Sequence, residues 1–398
     1  MTGCTHDNGE TTVLVTGATG YVGSHCVKQL LDAGYRVRGT VRSLANEQKN
    51  RPVLDLDTTG RGMLSLVEAD LTDEDAWKRA VEGCRFVLHV ASPVAVQQPK
   101  DPNEMIRPAV DGTLFVLRAA AAEAAVERVV LCSSIVAASS GHNRKSKSFY
   151  GEGDWSNLRS SKVTPYEVSK HLAEKAAWQF LDNCRKAGRP LEMVALLPAL
   201  ISGPAVTPNS FAGAEIVSRI LSGDYPGIPR ICVPVVDVRD VAKAHLLAMT
   251  APEAAGRRIY LCGDDPKFNI NLVARCLSRE FAAQGYVFSS WAVPRWLSYP
   301  ATWFDKDFRS VYPLVDRPVV YSDEERKRLL GMEEMIAWQP SVIGMAYSLI
   351  EFGVVKRAKK YGGFKPEYEA YPATRGSAES SAADGELVEE GREEAVRF

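Results

Sequence analysis

Hydrophobic and polar positions along the first half of the chain divide it into short apolar runs and longer stretches with helical periodicity. Strands are expected at residues 13–16, 36–41, 64–67, 86–90, 128–132 and 192–197. Helices are expected at residues 21–33, 73–82, 103–125 and 165–187. Most of the strand runs show no polar alternation, which is typical of strands covered on both faces. Alternating strands and helices therefore predict an α/β fold with a doubly wound, parallel Rossmann-type sheet.

The pattern changes after Pro198, so we predict a second, smaller lobe. Residues 12–198 form the predicted Rossmann domain, which includes helix 165–187. Residues 199–372 mainly form the C-terminal lobe, although 235–262 is expected to return to the Rossmann sheet. Residues 1–11 are a predicted disordered N-terminal tail. Residues 373–398, rich in Ser, Ala, Glu and Gly, are a predicted disordered acidic tail.

Composition narrows the possible partners. The 398 residues include 48 Lys+Arg and 49 Asp+Glu. The chain therefore lacks the excess positive charge that would favour binding to nucleic acid or to an anionic membrane. No apolar stretch is long enough to span a bilayer, and the N-terminal residues lack the apolar core of a signal peptide. The eight scattered cysteines form no CxxC pair, so we expect no metal site and a reducing, cytoplasmic location. A small molecule is the expected partner of a monomer or homodimer.

A glycine-rich turn follows the first predicted strand. Its spacing is GxxGxxG, and positive φ, close approach of a pyrophosphate and tight helix–strand packing all require glycine there. The N–H groups at the start of the next helix can bind phosphate. The motif alone is weak, because glycines also serve ordinary turns. The predicted phosphate cradle comprises Gly17, Thr19, Gly20, Tyr21, Val22 and Gly23.

The end of the second predicted strand indicates the type of dinucleotide. An NAD site places Asp or Glu about 20 residues after the glycines, where it binds the ribose 2′-OH. This chain has no carboxylate between Asp32 and Glu47 and carries Arg42 instead. Arginine can bind a 2′-phosphate and stack on adenine, so NADP is the predicted cofactor. The alternative is that Arg42 is an ordinary solvated residue.

A tyrosine and a lysine share one face of predicted helix 165–187. Tyr166 and Lys170 are four residues apart, and the ammonium group would stabilise a tyrosinate, which makes the hydroxyl a better acid–base group. Ser134 ends an earlier strand and can hold a carbonyl oxygen beside that hydroxyl. A lone YxxxK pair is usually a surface pair. Together with the glycine turn it predicts a catalytic site made of Ser134, Tyr166 and Lys170.

These motifs resemble those of the extended short-chain dehydrogenase/reductases, in particular the dihydroflavonol-reductase-like branch with its cinnamoyl-CoA and methylglyoxal-type carbonyl reductases. The resemblance covers about residues 12–362 and rests on residues 13–24, 37–42, 87–93, 166–178, 197–204 and 236–245. It implies reversible, NADPH-dependent reduction of a ketone or aldehyde. Tyr166 would be the proton donor, Lys170 would bind the nicotinamide ribose, and Ser134 would position the carbonyl.

The resemblance also implies cofactor contacts. Arg42 matches the family's 2′-phosphate arginine, and Lys49 falls where some members place a second phosphate contact. Asp70 and Leu71 match the adenine-binding pair. Ala91, Ser92 and Ser133 would line the cofactor cleft, and Pro198 to Ile201 would face the nicotinamide amide. Tyr166 and Lys170 are cofactor positions as well as catalytic ones.

The chain departs from flavonoid-reducing members, which carry asparagine five residues after the catalytic serine, where this chain has Ser139. Flavonoid reduction is therefore doubtful, whereas carbonyl reduction is unaffected. Two alternatives stay open. One is a 3β-hydroxysteroid-type dehydrogenase/isomerase or sugar-nucleotide epimerase on the same fold, and the other is a non-catalytic NADP-sensing protein.

Two further sets of residues carry no assigned chemistry. His89 lies in an apolar strand and is expected to be a core histidine rather than a base. The aromatic residues of the C-terminal lobe either wall an apolar pocket or pack in a core. They are Trp291, Trp296, Tyr299, Trp303, Phe304, Phe308 and Tyr312.

Overall fold

The computed structural model describes residues 8–93, 101–209, 214–304 and 306–371. Seven parallel strands form its main sheet: β1 (Thr12–Val15), β2 (Arg36–Val41), β3 (Leu64–Glu68), β4 (Phe86–His89), β5 (Arg128–Cys132), β6 (Glu192–Pro198) and β7 (Arg258–Leu261). Their order across the sheet is β3-β2-β1-β4-β5-β6-β7. The predicted doubly wound Rossmann-type fold is thus confirmed. The strand order reverses between β1 and β4, and ligands bind such sheets in the crevice at the carboxyl ends of these strands.

Helices connect and cover the strands. They are α1 (Tyr21–Asp32), α2 (Glu47–Leu54), α3 (Glu74–Val81), α4 (Asn103–Ala122), α5 (Val136–Ser139), α6 (Pro165–Lys186), α7 (Glu215–Leu221), α8 (Val238–Thr250), α9 (Ile270–Phe281), α10 (Arg295–Ser298), α11 (Ala301–Phe304), α12 (Lys306–Val311), α13 (Glu324–Leu330) and α14 (Trp338–Glu351). Short 3-10 helices span Asn8–Glu10, Pro252–Ala254, Tyr312–Leu314 and Pro366–Tyr368. Three short parallel pairs join Leu200–Ser202 to Val235–Asp237, Ile228–Pro229 to Ala292–Val293, and Phe149–Tyr150 to Val320–Tyr321.

The sheet is covered on both faces. Helices α1 and α8 pack against each other on one face, and α4 and α6 pack on the other, with α3 beside α4. Strands β4 and β5 are buried along their whole length, as their continuous apolar runs predict. The two layers hold the carboxyl ends of the central strands in fixed positions, and the candidate site lies at these ends.

A second core lies outside the sheet. It is built mainly from α7, α9 and α14, which pack against one another. The segment expected to return to the sheet contributes α8, which packs on α1, and the edge strand β7. Residues 1–7 and 372–398, which include the predicted acidic tail, lie outside the described residues, whereas Asn8–Glu10 forms a 3-10 helix. The division into two lobes stays a prediction.

The aromatic segment of the C-terminal lobe lies at the surface. Exposed fractions range from 49% for Tyr299 to 88% for Phe304. Core packing does not fit the five that are about half exposed or more: Trp291, Trp296, Tyr299, Trp303 and Phe304. Phe308 and Tyr312 pack on each other with ring centroids 6.1 Å apart. The segment is made of short helices, α10 to α12, which can bury little of their own apolar surface.

Three properties of the described residues limit the chemistry. Within them, no helix is both long and apolar enough to cross a membrane. No cluster of three His, Cys, Asp or Glu side chains in this part of the chain is arranged to hold a metal ion. The cysteines described here are free thiols.

Candidate functional site

A cavity of about 1270 Å³ lies at the carboxyl ends of the central strands. It exceeds the roughly 300–1,000 Å³ of ordinary ligand pockets, so it has room for more than one small molecule. Every residue that the sequence assigned to the site borders it: Gly17, Thr19, Gly20, Tyr21, Val22, Gly23, Arg42, Lys49, Asp70, Leu71, Ala91, Ser92, Ser133, Ser134, Tyr166, Lys170, Pro198 and Ile201. The fold therefore gathers residues that are far apart in the sequence.

The glycine turn between β1 and α1 forms one wall. Gly17 has φ 67°, and a Cβ there would lie 3.3 Å from Ala91 Cα. The Gly17 N–H donates to Thr40 Oγ1 at 3.0 Å, which fixes the turn against β2. Helix α1 has Gly20 as its N-cap and no side-chain cap. The first N–H groups of the helix thus lack a side-chain acceptor, which suits a phosphate.

Tyr21 was predicted to be part of the phosphate cradle, but its side chain bonds to the protein itself. Its side chain is buried, and its hydroxyl donates to the carbonyl oxygen of Gly203 at 2.5 Å. The hydroxyl is therefore not free for a ligand. Instead it joins the start of α1 to the segment that follows β6.

Gly23 sets how closely α1 approaches the turn, and its substitution gives the first prediction. A Cβ at Gly23 would lie 2.2 Å from the carbonyl oxygen of Gly17. Gly23→Ala should therefore displace the turn, lower the free energy of unfolding by about 1–3 kcal/mol, and weaken NADPH binding.

Urea unfolding and fluorescence titration with NADPH measure the two effects of Gly23→Ala. The matched control is Gly153→Ala, because a Cβ at Gly153 meets nothing within 4 Å. Equal NADPH affinity in the two variants would contradict the assigned role of Gly23.

Two cations border the cavity beside β2. Arg42 directly follows β2, and Lys49 lies in the first turn of α2, where its N–H donates to the side chain of the N-cap Asn46 at 3.1 Å. The Asn209 side chain donates to Lys49 O at 2.5 Å. Hydrogen bonds from Thr72 and the nearby Arg42 charge hold the pKa of the Asp70 carboxyl below its usual range. Two cations beside this carboxylate fit an adenosine ribose that carries a 2′-phosphate.

Helix α6 places Tyr166 and Lys170 on the opposite side of the cavity. The helix starts with a capping box, in which Glu167 N–H donates to Thr164 Oγ1 and Thr164 N–H donates to the Glu167 carboxylate. This cap fixes the first turn, which contains Tyr166. Lys170 is 8% exposed, and its Nζ donates to Cys132 O at 3.2 Å. Within the described ranges Lys170 forms no ion pair, so its charge is free to act on its neighbours in the cavity.

Thr16 and His89 shape the wall next to Ala91. Thr16 Oγ1 accepts hydrogen bonds from the N–H groups of Val90 and Ala91, at 3.0 and 2.9 Å. Its own proton is left for His89 Nδ1, 3.0 Å away. Burial lowers the pKa of His89 to about 3, so the ring is neutral. The prediction of a core histidine is confirmed, and Thr16 is a residue that the motifs did not identify.

Other residues border the cavity without having been predicted. They are Thr40, Val41, Ser43, Asn46, Asn50, Ala69, Thr72, Trp77, Val90, Pro93, Glu104, Met105, Pro108, Cys132, Ile135, Val136 and Val233. Asn46 was recognisable as a helix cap before Lys49. Val233 lies between β6 and α8, and no local pattern distinguishes it. Ser139, by contrast, does not border the cavity, because it is buried and bonded to Ile135 O and to the Tyr321 hydroxyl.

Known proteins resemble this chain in sequence and in fold. Residues 13–263 match the sequence model of the NAD dependent epimerase/dehydratase family. Cinnamoyl-CoA reductase 1 of Arabidopsis thaliana is 42% identical over 258 residues, which are 64% of this chain and 71% of the relative. Dihydroflavonol 4-reductase of Zea mays is 36% identical over 258 residues, 63% of this chain and 69% of the relative.

A solved structure extends the comparison to most of the chain. Yeast methylglyoxal/isovaleraldehyde reductase Gre2, complexed with NADPH, superposes with a TM-score of 0.70 at 26% identity, and the match covers 86% of this chain and 99% of that one. The family match covers more than half of the chain, and the order of the sheet strands is that of a Rossmann-type fold. The chain therefore belongs to the NAD dependent epimerase/dehydratase family of extended short-chain dehydrogenase/reductases, as its motifs predicted.

Proposed function

We propose that this protein is an NADPH-dependent carbonyl reductase, which converts an aldehyde or ketone to the alcohol and also catalyses the reverse reaction. The observation that carries the proposal is one cavity bordered by the glycine turn, the two cations Arg42 and Lys49, and the set Ser134, Tyr166 and Lys170. Reductases among the relatives support it, and Gre2 was crystallised with NADPH.

The proposed mechanism assigns one task to each polar side chain at the reacting end. Bound NADPH would supply the hydride. Tyr166 donates its hydroxyl proton to the carbonyl oxygen as negative charge develops there. Lys170, which is buried and has no carboxylate partner among the described residues, stabilises the remaining tyrosinate. Ser134 donates a hydrogen bond to the same oxygen and so orients the carbonyl.

The choice of cofactor gives a second prediction. Arg42→Ala should weaken NADPH binding by about 10–100-fold, because a charge-assisted hydrogen bond to phosphate contributes roughly 1.5–3 kcal/mol. NADH affinity should stay unchanged, since NADH lacks the 2′-phosphate. Fluorescence titration with both dinucleotides measures this change.

The matched control for Arg42→Ala is Arg51→Ala. Arg51 lies on the same helix as Lys49, but it is exposed, pairs with Asp55, and does not border the cavity. Equal losses of NADPH and NADH affinity in Arg42→Ala would remove the argument for a 2′-phosphate site.

The rest of the cavity lining favours an uncharged, apolar substrate. Outside the residues proposed for the cofactor, it includes Pro93, Ile135, Val136 and Val233. Among the described residues the cavity offers a substrate no cation other than Lys170, since Arg42 and Lys49 belong to the proposed phosphate site. An aldehyde or ketone with an apolar body fits this lining better than a substrate with an anionic group near the carbonyl.

NADPH oxidation with a panel of substrates tests the proposed function. The panel contains aliphatic and aromatic aldehydes, ketones, flavanonols and CoA thioesters, and each assay is repeated with NADH. We expect turnover of at least one aldehyde or ketone, with NADPH preferred by more than about tenfold. Tight NADPH binding without turnover of any compound would favour a sensing protein instead.

Two further features belong to the same proposal. We propose a cytoplasmic enzyme, because free cysteine thiols suit a reducing compartment. We also propose that it acts as a monomer or homodimer on a small-molecule substrate. Size-exclusion chromatography with light scattering separates the two oligomeric states, and a larger assembly would contradict both.

A further inference from the structure

Glu174 is a buried carboxylate one turn beyond Lys170 on α6. It is only 1% exposed. Its Oε1 accepts hydrogen bonds from Arg258 Nε at 2.6 Å and Trp178 Nε1 at 3.1 Å, and its Oε2 accepts one from Ser133 Oγ at 2.6 Å. The side chain thus links β5, α6 and β7. Burying an ion pair costs desolvation energy, so a fully hydrogen-bonded pair of this kind contributes more to geometry than to net stability.

Arg258 extends the connection to the loop after Phe149–Tyr150. Its Nη1 donates to the carbonyl oxygens of Glu152 and Asp154, both at 2.6 Å, and its guanidinium carbon lies 3.8 Å from the Trp155 ring centroid. The next residue, Ser156, donates its hydroxyl proton to Val136 O at 2.6 Å. Hydrogen bonds therefore run from Glu174 through Arg258 and this loop to the chain just after Ser134.

Two successive residues at the end of β5 form hydrogen bonds with side chains of α6. Cys132 O accepts the hydrogen bond from Lys170 Nζ, and the Ser133 hydroxyl donates to Glu174. Ser134, the proposed carbonyl-binding residue, follows immediately. A displacement of about 1 Å between catalytic groups can lower the rate about 10²-fold. These two hydrogen bonds therefore control the position of Ser134 relative to Tyr166.

We propose that Glu174 is a positioning residue, which acts through the Ser133 hydroxyl to hold Ser134 in a fixed position relative to Tyr166 and Lys170. The inference rests on the proposed function, because it concerns the alignment of the catalytic groups. Glu174 does not border the cavity, so its effect on the reaction has to pass through Ser133 and the helix.

The test is a double-mutant cycle with Ser133→Ala and Glu174→Gln. Each single variant should lower kcat by about 10–100-fold. Glu174→Gln, at a residue that does not border the cavity, should change NADPH affinity and KM for the carbonyl compound by less than about threefold. The double variant should be about as slow as the slower single variant, because both substitutions remove the charge-assisted hydrogen bond from the Ser133 hydroxyl to the Glu174 carboxylate. Ser133→Thr, which keeps a hydroxyl group, should recover more activity than Ser133→Ala.

Ser139→Ala is the matched control for lost stability. Like Ser133→Ala, it removes a buried hydroxyl group from the segment that follows β5, and this hydroxyl forms two hydrogen bonds. Ser139 does not border the cavity. It should lower the thermal midpoint as much as Ser133→Ala and leave kcat unchanged.

The outcomes separate this inference from the proposed function. The inference alone would be overturned if Tyr166→Phe lost most of the wild-type kcat while Ser133→Ala and Glu174→Gln both kept it. Equal loss of kcat in Ser139→Ala would also overturn it, since a general loss of stability would then explain the effect. A wild-type protein that binds NADPH and reduces no carbonyl compound would overturn both.

Discussion

Replacing Tyr166 with phenylalanine is expected to lower kcat for carbonyl reduction by about 10²–10⁴-fold, the usual contribution of a positioned proton donor. Tyr166 borders the cavity in the first turn of α6, and the capping box of Thr164 and Glu167 holds that turn independently of the tyrosine hydroxyl. The substitution removes the proton and keeps the aromatic ring. NADPH affinity should therefore change by less than about threefold.

Steady-state kinetics and NADPH titration of the Tyr166→Phe variant measure this prediction. Tyr150→Phe is the matched control, because the buried Tyr150 hydroxyl has no hydrogen-bond partner in the described part of the chain and Tyr150 does not border the cavity. That variant should keep wild-type kcat and be no less stable. A Tyr166→Phe enzyme that retains more than about a tenth of wild-type kcat would show that the proton has another source.

The second large effect is a loss of stability in mild acid. Burial lowers the pKa of His25 to about 4, of His89 to about 3 and of His245 to about 4. An unfolded chain protonates histidine near pH 6.5, so below that pH the unfolded state binds protons that the folded state does not. The free energy of unfolding should therefore fall as the pH falls from about 6.5 toward 4.

One carboxylate opposes this trend. Burial raises the pKa of Asp240 to about 6, even though its Oδ2 accepts a hydrogen bond from Ile336 N–H at 2.7 Å. Folded Asp240 thus takes up a proton at a pH where the unfolded chain does not, which stabilises the folded state as the pH falls. These three histidines, set against Asp240, lower the free energy of unfolding by about 2–3 kcal/mol per pH unit at the steepest point. Burial also lowers the pKa of His171, which adds to the loss.

Urea unfolding between about pH 7.5 and 4.5 measures the slope. His245→Leu should make the slope shallower by about 1.4 kcal/mol per pH unit, the contribution of one proton. His245 is fully buried, and among the described residues its Nε2 has no hydrogen-bond partner, while its Nδ1 bonds to Val241 O. A free energy of unfolding that stays constant across this range would contradict the account.

The sequence predicted the sheet and the cavity well, for identifiable reasons. Strands such as β5 are continuous apolar runs, and helix α6 carries its own start signal in Thr164, Pro165 and Glu167. The glycine turn and the Tyr–Lys spacing are local patterns set by backbone geometry. Once the fold is a doubly wound sheet, the ends of its strands meet, and the predicted residues border one cavity.

Long-range contacts were not predictable in this way. Val233 reaches the cavity from the segment between β6 and α8, and Thr16 organises the wall through hydrogen bonds to residues more than 70 positions away. The Glu174–Arg258 pair joins residues 84 positions apart. The exposure of Trp296 and Phe304 also escaped prediction, because apolar composition alone does not tell a core from a surface.

Isotope transfer tests the central claim most directly. The wild-type protein is given NADPH with two deuterium atoms at C4 of the nicotinamide, together with the aldehyde or ketone that it reduces best. The account predicts that each alcohol molecule carries one deuterium on the former carbonyl carbon, and that Tyr166→Phe forms little of it. A protein that binds this NADPH but forms no deuterated alcohol from any carbonyl compound would contradict the claim of carbonyl reduction.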